Sequence, residues 1–546
     1  MNKLQTIITS TMRIINKILL YTMLSVSVSY LVSCAEDGID GIQGEKGDQG
    51  DQGEKGDQGD DGEKGDQGDQ GQDLVGLDDT ELFNNKSIIE PLVNIYPDFS
   101  SRVKAYSLMT SVDIIGDSRF QLAATVDGAG LIKDDVGDGF IYVVNCEDAK
   151  AIARVRLDKN LNPTFGDYLL NSDVADFSRQ CSGTMWEKEI HGGTKDVFLS
   201  ASEESNSNIV KEIDPRTATP NPTGDYGNRA LGQFLWENAV PLPKNAYPGK
   251  TVIIGGNDLD GGQPILYYSE NGDVDRENGK VYVLRTKEIS DGSGGKVAAP
   301  AGVQHDESDF DLRVSYDIEF LEVVNAKSLN TGEISNYYRN TLFATKFVRM
   351  EDLDYQKGSD ANARNIYFAV TGKGAGRGTV NDQGTVYKLS LSETDPTQGT
   401  LTKLLSGNNA DMGKVGYMNS LQSPDNMCVT ENYVYIQEDP NGGTWNRGHS
   451  AAVYQSDLEG NNVKTVLDIK IKPELAESNA VTIENSGEYG AMLDISDKVG
   501  VPGTFLLNLQ VKYWSNDAFA GLDGSVANGG NNKTGSQVLI LRGLDQ

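Results

Sequence analysis

Carboxylates recur where short apolar runs meet polar loops. The stretches are Asn145-Cys146-Glu147, Ser202-Glu203-Glu204, Trp236-Glu237-Asn238, Asn257-Asp258, Arg349-Met350-Glu351-Asp352, Ser423-Pro424-Asp425-Asn426 and Glu438-Asp439. One such acid alone is ordinarily a solvated loop end. Several converging from different strands would crowd negative charge, which is unfavourable unless cations offset it. Carboxylate oxygens suit Ca²⁺ and other hard cations, and a thiolate beside them favours a softer or redox metal. The only three His, His191, His305 and His449, are scattered, so a His-rich zinc site is not expected. No G-x-S-x-G elbow, P-loop, HExxH or CxxC occurs.

Such acids need strands to bring them together. Beyond residue 100 a unit recurs: a short apolar strand, a polar loop, a second strand. It spans Phe140–Asp148 with Ala151–Asp158, Val197–Glu204 with Ile209–Asp214, and Thr251–Asp258 with Ile265–Ser269. It recurs at Ile366–Gly374 with Gly384–Leu389, Tyr433–Asp439 with Ala451–Asp457, and Thr504–Lys512 with Ser536–Arg542. Six units predict an all-β fold, a six-bladed β-propeller, which explains how over 400 residues form one domain. Residues 275–340 read as an insertion or an extra blade. In a propeller the inner strands converge on a central channel, where a site would be built.

The 546 residues include 80 acidic against 48 basic side chains, a formal charge of −32. No basic face for a phosphate backbone is visible, so nucleic acid is excluded as a partner. An anionic small molecule needs bound cations to reverse the local field.

The order of motifs in the body resembles the PhoX-type alkaline phosphatases, secreted bacterial propellers that use calcium and iron. The resemblance rests on Val144-Asn145-Cys146-Glu147, on Cys181-Ser182-Gly183-Thr184-Met185-Trp186 with Leu199–Glu204, and on Gly232-Gln233-Phe234-Leu235-Trp236-Glu237. It continues through Phe347-Val348-Arg349-Met350-Glu351-Asp352, Ser423-Pro424-Asp425-Asn426 with Tyr435–Asp439, and Phe505-Leu506-Leu507-Asn508-Leu509-Gln510. The resemblance implies that Cys181 is an iron-bound thiolate. It makes Glu203 (or Glu204, since the match slips by one) and Glu237 carboxylate ligands, completed by Asp258, Glu351 and Asp425. It makes Arg349 the phosphate-binding side chain, whose planar guanidinium can form two parallel bonds.

The chain departs from the family at Trp236 and Val511, where the family has His, at Met350, where it has Pro, and at Ser202, where it has Cys. The ligands survive while neighbours change, which predicts a retained metal site with an altered substrate mouth. Cys146 and Cys428 either form a disulfide or stay as buried small hydrophobes. The loop Asp273–Gly279 hints at a peripheral calcium site without EF-hand spacing.

Residues 1–33 read as a signal peptide: Lys3, Arg13 and Lys17 flank a mostly apolar run. Leu31-Val32-Ser33-Cys34 resembles the bacterial lipobox, which makes Cys34 the lipidated first residue of a short start, 34–37. Lipidation implies an outer-membrane lipoprotein, facing the periplasm or exposed at the cell surface. Residues 38–73 are twelve unbroken Gly-X-Y triplets without Pro, a charged collagen-like stalk. Only Gly fits the axis of a collagen triple helix, so a homotrimer is one reading and a flexible acidic spacer the other. Residues 74–100 read as a linker before the propeller, 101–546.

These features predict a membrane-anchored phosphomonoesterase that uses calcium and iron. The rival reading is a non-catalytic surface-binding or adhesion lipoprotein whose propeller is stabilised by calcium. A third is another hydrolytic propeller, of the lactonase or phytase kind.

Overall fold

Period-two alternation is the local cause of most of the structure. In Phe140–Cys146 the side chains of Phe140, Tyr142, Val144 and Cys146 lie in one apolar cluster, and those of Ile141 and Val143 in another. In Asn365–Val370 the same division puts Ile366, Phe368 and Val370 on one side, Tyr367 and Ala369 on the other. Strands covered on both faces belong to sheets that stand side by side, which is how a propeller buries its core.

This computed structural model describes residues 81–173, 179–203, 208–374, 379–440, 447–476, 482–483, 486–525 and 532–546. All lie in the second of the two units into which the chain parts, residues 77–546. The expected signal peptide, Cys34 and the expected collagen-like stalk lie outside the described residues.

The architecture is all-β and propeller-like. Its first sheet is Val126–Lys133, Phe140–Cys146, Ala151–Leu157 and Pro163–Leu170 in sequence order. The next holds Gln180–Trp186, Val197–Ser202 and Lys211–Ile213. Two later sheets begin at Pro424–Val429 and Glu488–Asp494. All six strand pairs expected from the sequence are adjacent antiparallel strands.

The departure from six separate sheets is a single nine-stranded sheet. Two up-and-down runs, one opening with Trp236–Pro241 and one with Met350–Tyr355, share the strand Ser315–Glu322. That strand ladders to Lys280–Thr286 on one side and to Gln398–Ser406 on the other. Along it, Tyr316, Ile318 and Phe320 join the core while Ser315 and Asp317 face water. The rest of the segment read as an insertion or extra blade includes the hairpin Glu288–Ser290 with Lys296–Ala298 and the helix Thr331–Asn340. Asn330 caps this helix by accepting from Glu333 N at 3.0 Å, and Glu333 returns the bond at 2.9 Å. Ile334 and Tyr338 are its buried side. Tyr338 Oη accepts from Asn257 Nδ2 at 3.3 Å, bracing the residue before Asp258.

Six inner strands form a closed ring: Val126–Lys133, Gln180–Trp186, Trp236–Pro241, Met350–Tyr355, Pro424–Val429 and Glu488–Asp494, with the last packed back on the first. Segments from the start of the described chain complete the last two sheets. Val93–Ile95 pairs with Lys464–Ile469, and Lys104–Thr110 pairs with Thr534–Arg542. Leu82, Phe83, Leu92, Val93 and Phe99 are core side chains. Residues 81–100 are therefore part of the body, which corrects the linker expected over 74–100: their apolar side chains find no cover except in that core.

Candidate metal centre

The inner strands share one irregularity. Each ladder to its neighbour shifts register near its start, between Val126 and Ala129, Gln180 and Gly183, Trp236 and Ala239, Met350 and Leu353, Pro424 and Met427, and Tyr489 and Met492. A bulge sets two residues against one and re-aims their side chains. The first bulged residue is Asp127, Cys181, Glu237, Glu351 or Asp425 in five strands. In the sixth it is Gly490, where a Cβ would come within 2.5 Å of Asp127 Cα.

The second bulged residue ties strands together. Ser182 Oγ lies 3.0 Å from Glu237 Oε1, and Asn238 Nδ2 donates to Asp352 Oδ1 at 2.6 Å. Asp352 Oδ2 accepts from Met427 N at 3.0 Å, and Asn426 Nδ2 donates to Tyr489 O at 3.1 Å.

A second tier follows from antiparallel pairing, because each neighbouring strand ends where an inner strand begins. Opposite the starts lie Cys146, Ser202, Asn257 and Glu438, each followed by an acid: Glu147, Glu203, Asp258 and Asp439. Gln510 holds the same place in the last sheet and donates to Glu147 Oε2 at 2.8 Å.

The two tiers meet. Ligand atoms of Asp127, Cys181 and Glu237 lie within 4.8 Å of one another, as do those of Glu147, Cys181 and Glu203, and those of Glu203, Glu237 and Asp258. Of the residues implied by the resemblance, Cys181, Glu203, Glu237 and Asp258 are thus brought together. Glu204 lies outside the described residues. Glu351 joins through Arg349, whose Nη2 lies 2.7 Å from Glu351 Oε1 and whose Nε lies 3.1 Å from Asp258 Oδ1. Asp425 is near enough to act electrostatically on Asp127, Glu237 and Glu351. No His belongs to these groups among the described residues.

Three inner strands are entered by a non-glycine residue in the left-handed region, two residues before the acid: Thr125 (φ 56°), Arg349 (φ 64°) and Ser423 (φ 45°). Such backbone strain persists where surrounding structure holds it, often at functional sites.

Burial is the first electrostatic fact. Burial, then Glu147 and Asp425, push the Asp127 carboxyl well above the usual range. Burial, then Glu351 and Glu203, do the same to Glu237, and burial, then Asp439, to Asp425. Glu351 also stays high from burial despite Arg349. Glu203 is raised to about 7 by burial, against Arg179. The Cys181 thiol is pushed up by burial, then Glu203 and Glu237. These groups disfavour one another's charged forms, and a cation among them reverses that.

The donor set fits a cation on a further observation. Asp127 is 5% exposed, and its Oδ1 has no hydrogen-bond partner among the described residues. A buried carboxylate oxygen left bare is costly. Carboxylates suit hard cations, and a thiol beside them suits a softer metal.

Sequence reasoning missed Asp127, Arg179 and Lys512. Asp127 had a signal: Val126-Asp127-Gly128 opens an apolar strand as Trp236-Glu237-Asn238 does. Arg179 pairs with Glu147, and with Glu203 at 2.7 Å. Lys512 pairs with Glu488, and with Asp439 at 3.0 Å. Only folding supplies these partners.

The altered substrate mouth is corrected. Trp236, Met350 and Val511 are buried in three apolar clusters, because strand alternation turns them away from the channel. Ser202 is buried too, accepting from Gln180 Nε2 at 3.0 Å. Cys146 and Cys428 are free thiols in separate clusters, not a disulfide. In the Asp273–Gly279 loop, the Asp275 carboxylate accepts from Glu277 N, Asn278 N and the side chains of Asn271 and Asn278, so its own loop satisfies it.

No family model matches the chain, and no curated protein does. Among solved structures, PhoX of Pseudomonas fluorescens in complex with vanadate, a transition state analogue, is similar with a TM-score of 0.52 at 12% identity, over 84% of this chain and 98% of that one. The PQQ-bound aldose sugar dehydrogenase of Streptomyces coelicolor gives 0.31 at 12% identity, over 81% and 98%. The GH62 α-L-arabinofuranosidase of Coprinopsis cinerea gives 0.27 at 8% identity, over 68% and 98%. The first likeness is one of fold, a propeller-like β architecture. The other two superimpose too loosely to add to it.

Proposed function

We propose that the chain is a metal-dependent phosphomonoesterase of the PhoX kind. One observation carries this reading: Asp127, Cys181, Glu237, Glu351 and Asp425 stand at the same bulge position of five inner strands, beside Arg349. The fold likeness to a phosphatase bound to vanadate supports it. On this reading the nine-stranded sheet is two blades sharing Ser315–Glu322, and the blades number six.

Asp127, Cys181, Glu203, Glu237, Asp258, Glu351 and Asp425 would hold calcium and iron. Bound there, these ions supply positive charge that offsets charge gathered on a phosphoryl group. Arg349 orients that group. Asp258 and Glu351 hold its guanidinium in place, and 34% of its side chain stays exposed. Ser182 fixes the Glu237 carboxylate from the side. Burial, then Glu203 and Glu237, favour the protonated Cys181 thiol, which would bind a metal as the thiolate. Cys34 would carry the lipid anchor, and the collagen-like tract would space the body from the membrane, as a trimer or as single chains.

The test uses the detergent-solubilised full chain. Metal analysis should find iron and calcium, and an aryl phosphate should be cleaved in a chelator-sensitive way. Arg349→Ala should lower kcat/KM by about 100-fold or more, the order expected for a lost transition-state contact. Metal-free protein that leaves the ester intact would sink the reading.

A further inference from the structure

Three groups of ligand atoms could each hold an ion, but the chain's own cations do not leave them equally free. The Glu147–Cys181–Glu203 group is bridged by Arg179, which meets Glu147 on one side and Glu203 at 2.7 Å on the other. In the Glu203–Glu237–Asp258 group, Arg179 holds Glu203 and Arg349 holds Asp258. The Asp127–Cys181–Glu237 group is different. Among the described residues neither Asp127 nor Glu237 has a basic partner, and the bare oxygen, Asp127 Oδ1, belongs to this group.

Register places Arg179 deliberately. It stands just before its inner strand, two residues ahead of Cys181, as Arg349 stands just before another, two ahead of Glu351. Both side chains are 34% exposed; Arg349 grips Asp258 and Glu351, and Arg179 grips Glu147 and Glu203 with Asp148 3.5 Å away. A guanidinium brings one fixed positive charge and several donors to such a pair, without exchanging with solvent. A guanidinium set between two carboxylates takes the place that a divalent ion would fill between them.

Resting on the metal-centre reading above, we infer that Arg179 is a resident cation filling the Glu147–Glu203 position, so that the ion beside Cys181 sits on the Asp127–Glu237 side and the centre binds one metal ion fewer than its acids could hold. Lys512 repeats the device at Asp439 and Glu488, the next acids around the ring.

The experiment is elemental analysis of the full chain after saturation with calcium and iron(II) and removal of loose metal. Arg179→Met should bind one ion more per chain than the native protein, and Arg179→Lys the native number. Asp127→Asn should bind one fewer, a check independent of whether Arg179→Met folds. An unchanged count in folded Arg179→Met overturns the inference, as does an unchanged count in Asp127→Asn. A native protein with no tightly held metal overturns the metal-centre reading itself, and this inference with it. Metal in the native protein with no response to the Arg179 variants overturns this inference alone.

Discussion

Ser182 Oγ lies 3.0 Å from Asn426 Oδ1, although the two residues stand on the second and fifth inner strands. The contact reaches across the channel. Asn426 also donates to Tyr489 O, and Ser182 also meets Glu237, so one pair links four inner strands. Ser182→Ala takes the hydroxyl from the buried Asn426 Oδ1 and should cost about 1–3 kcal/mol. Urea unfolding of Ser182→Ala, Asn426→Ala and the double variant should give a coupling of about 1 kcal/mol, and strict additivity would contradict the contact.

Removing divalent cations should destabilise the whole ring. The centre crowds acids whose charged forms burial and neighbours disfavour. An ion that binds only the folded chain adds about 2.7 kcal/mol at a hundredfold excess over its Kd. Calorimetry of the full chain should show a lower Tm in EDTA and recovery on adding calcium. A Tm indifferent to both would mean that the acids balance without metal.

His191 predicts a loss of stability in acid. It is 6% exposed, its Nδ1 accepts from Glu187 N at 2.9 Å, and its ring packs beside Trp186. Burial, helped by Lys357 and Lys498, pulls its pKa from 6.5 to about 3. The folded chain holds the ring neutral while the unfolded chain protonates it. The contribution is therefore full above pH 6.5 and is lost as pH falls from there toward about 3. Urea midpoints between pH 7 and 4 should fall less steeply for His191→Gln than for the native chain. Parallel slopes would count against this.

Trp236→His should not create a metal ligand. The indole is fully buried, meets Phe234 edge-on at 5.6 Å and donates to Gly232 O at 3.1 Å. Gly255 leaves room for it, since a Cβ there would lie 2.3 Å from the indole. Replacement should cost about 3 kcal/mol or more, read as a lowered urea midpoint, with metal content unchanged. A gain in bound metal would refute the orientation described.

Strand alternation and strand-end acids made much of this molecule readable in advance. The pairs built on Phe140–Cys146 and Tyr433–Glu438 follow from local pattern. So do Glu237, Glu351 and Asp425, whose neighbours on the next sheet could not be read. Arg179 looks like any surface arginine until Glu147 and Glu203 arrive from other strands. The fusion through Ser315–Glu322 was hidden because nothing in its own alternation says which two edges it will bridge. Trp236 was misplaced because adjacent residues in a strand face opposite ways, and a motif match does not say which faces the channel.

The closing strands also set an order of events during synthesis. Lys104–Thr110 is made early, yet its ladder partner Thr534–Arg542 follows every other described strand. Until that partner leaves the ribosome, the nascent sheets can form one by one but Lys104–Thr110 has no strand to pair with. A strand held waiting that long offers its unpaired edge to other chains, and the last strand covers it.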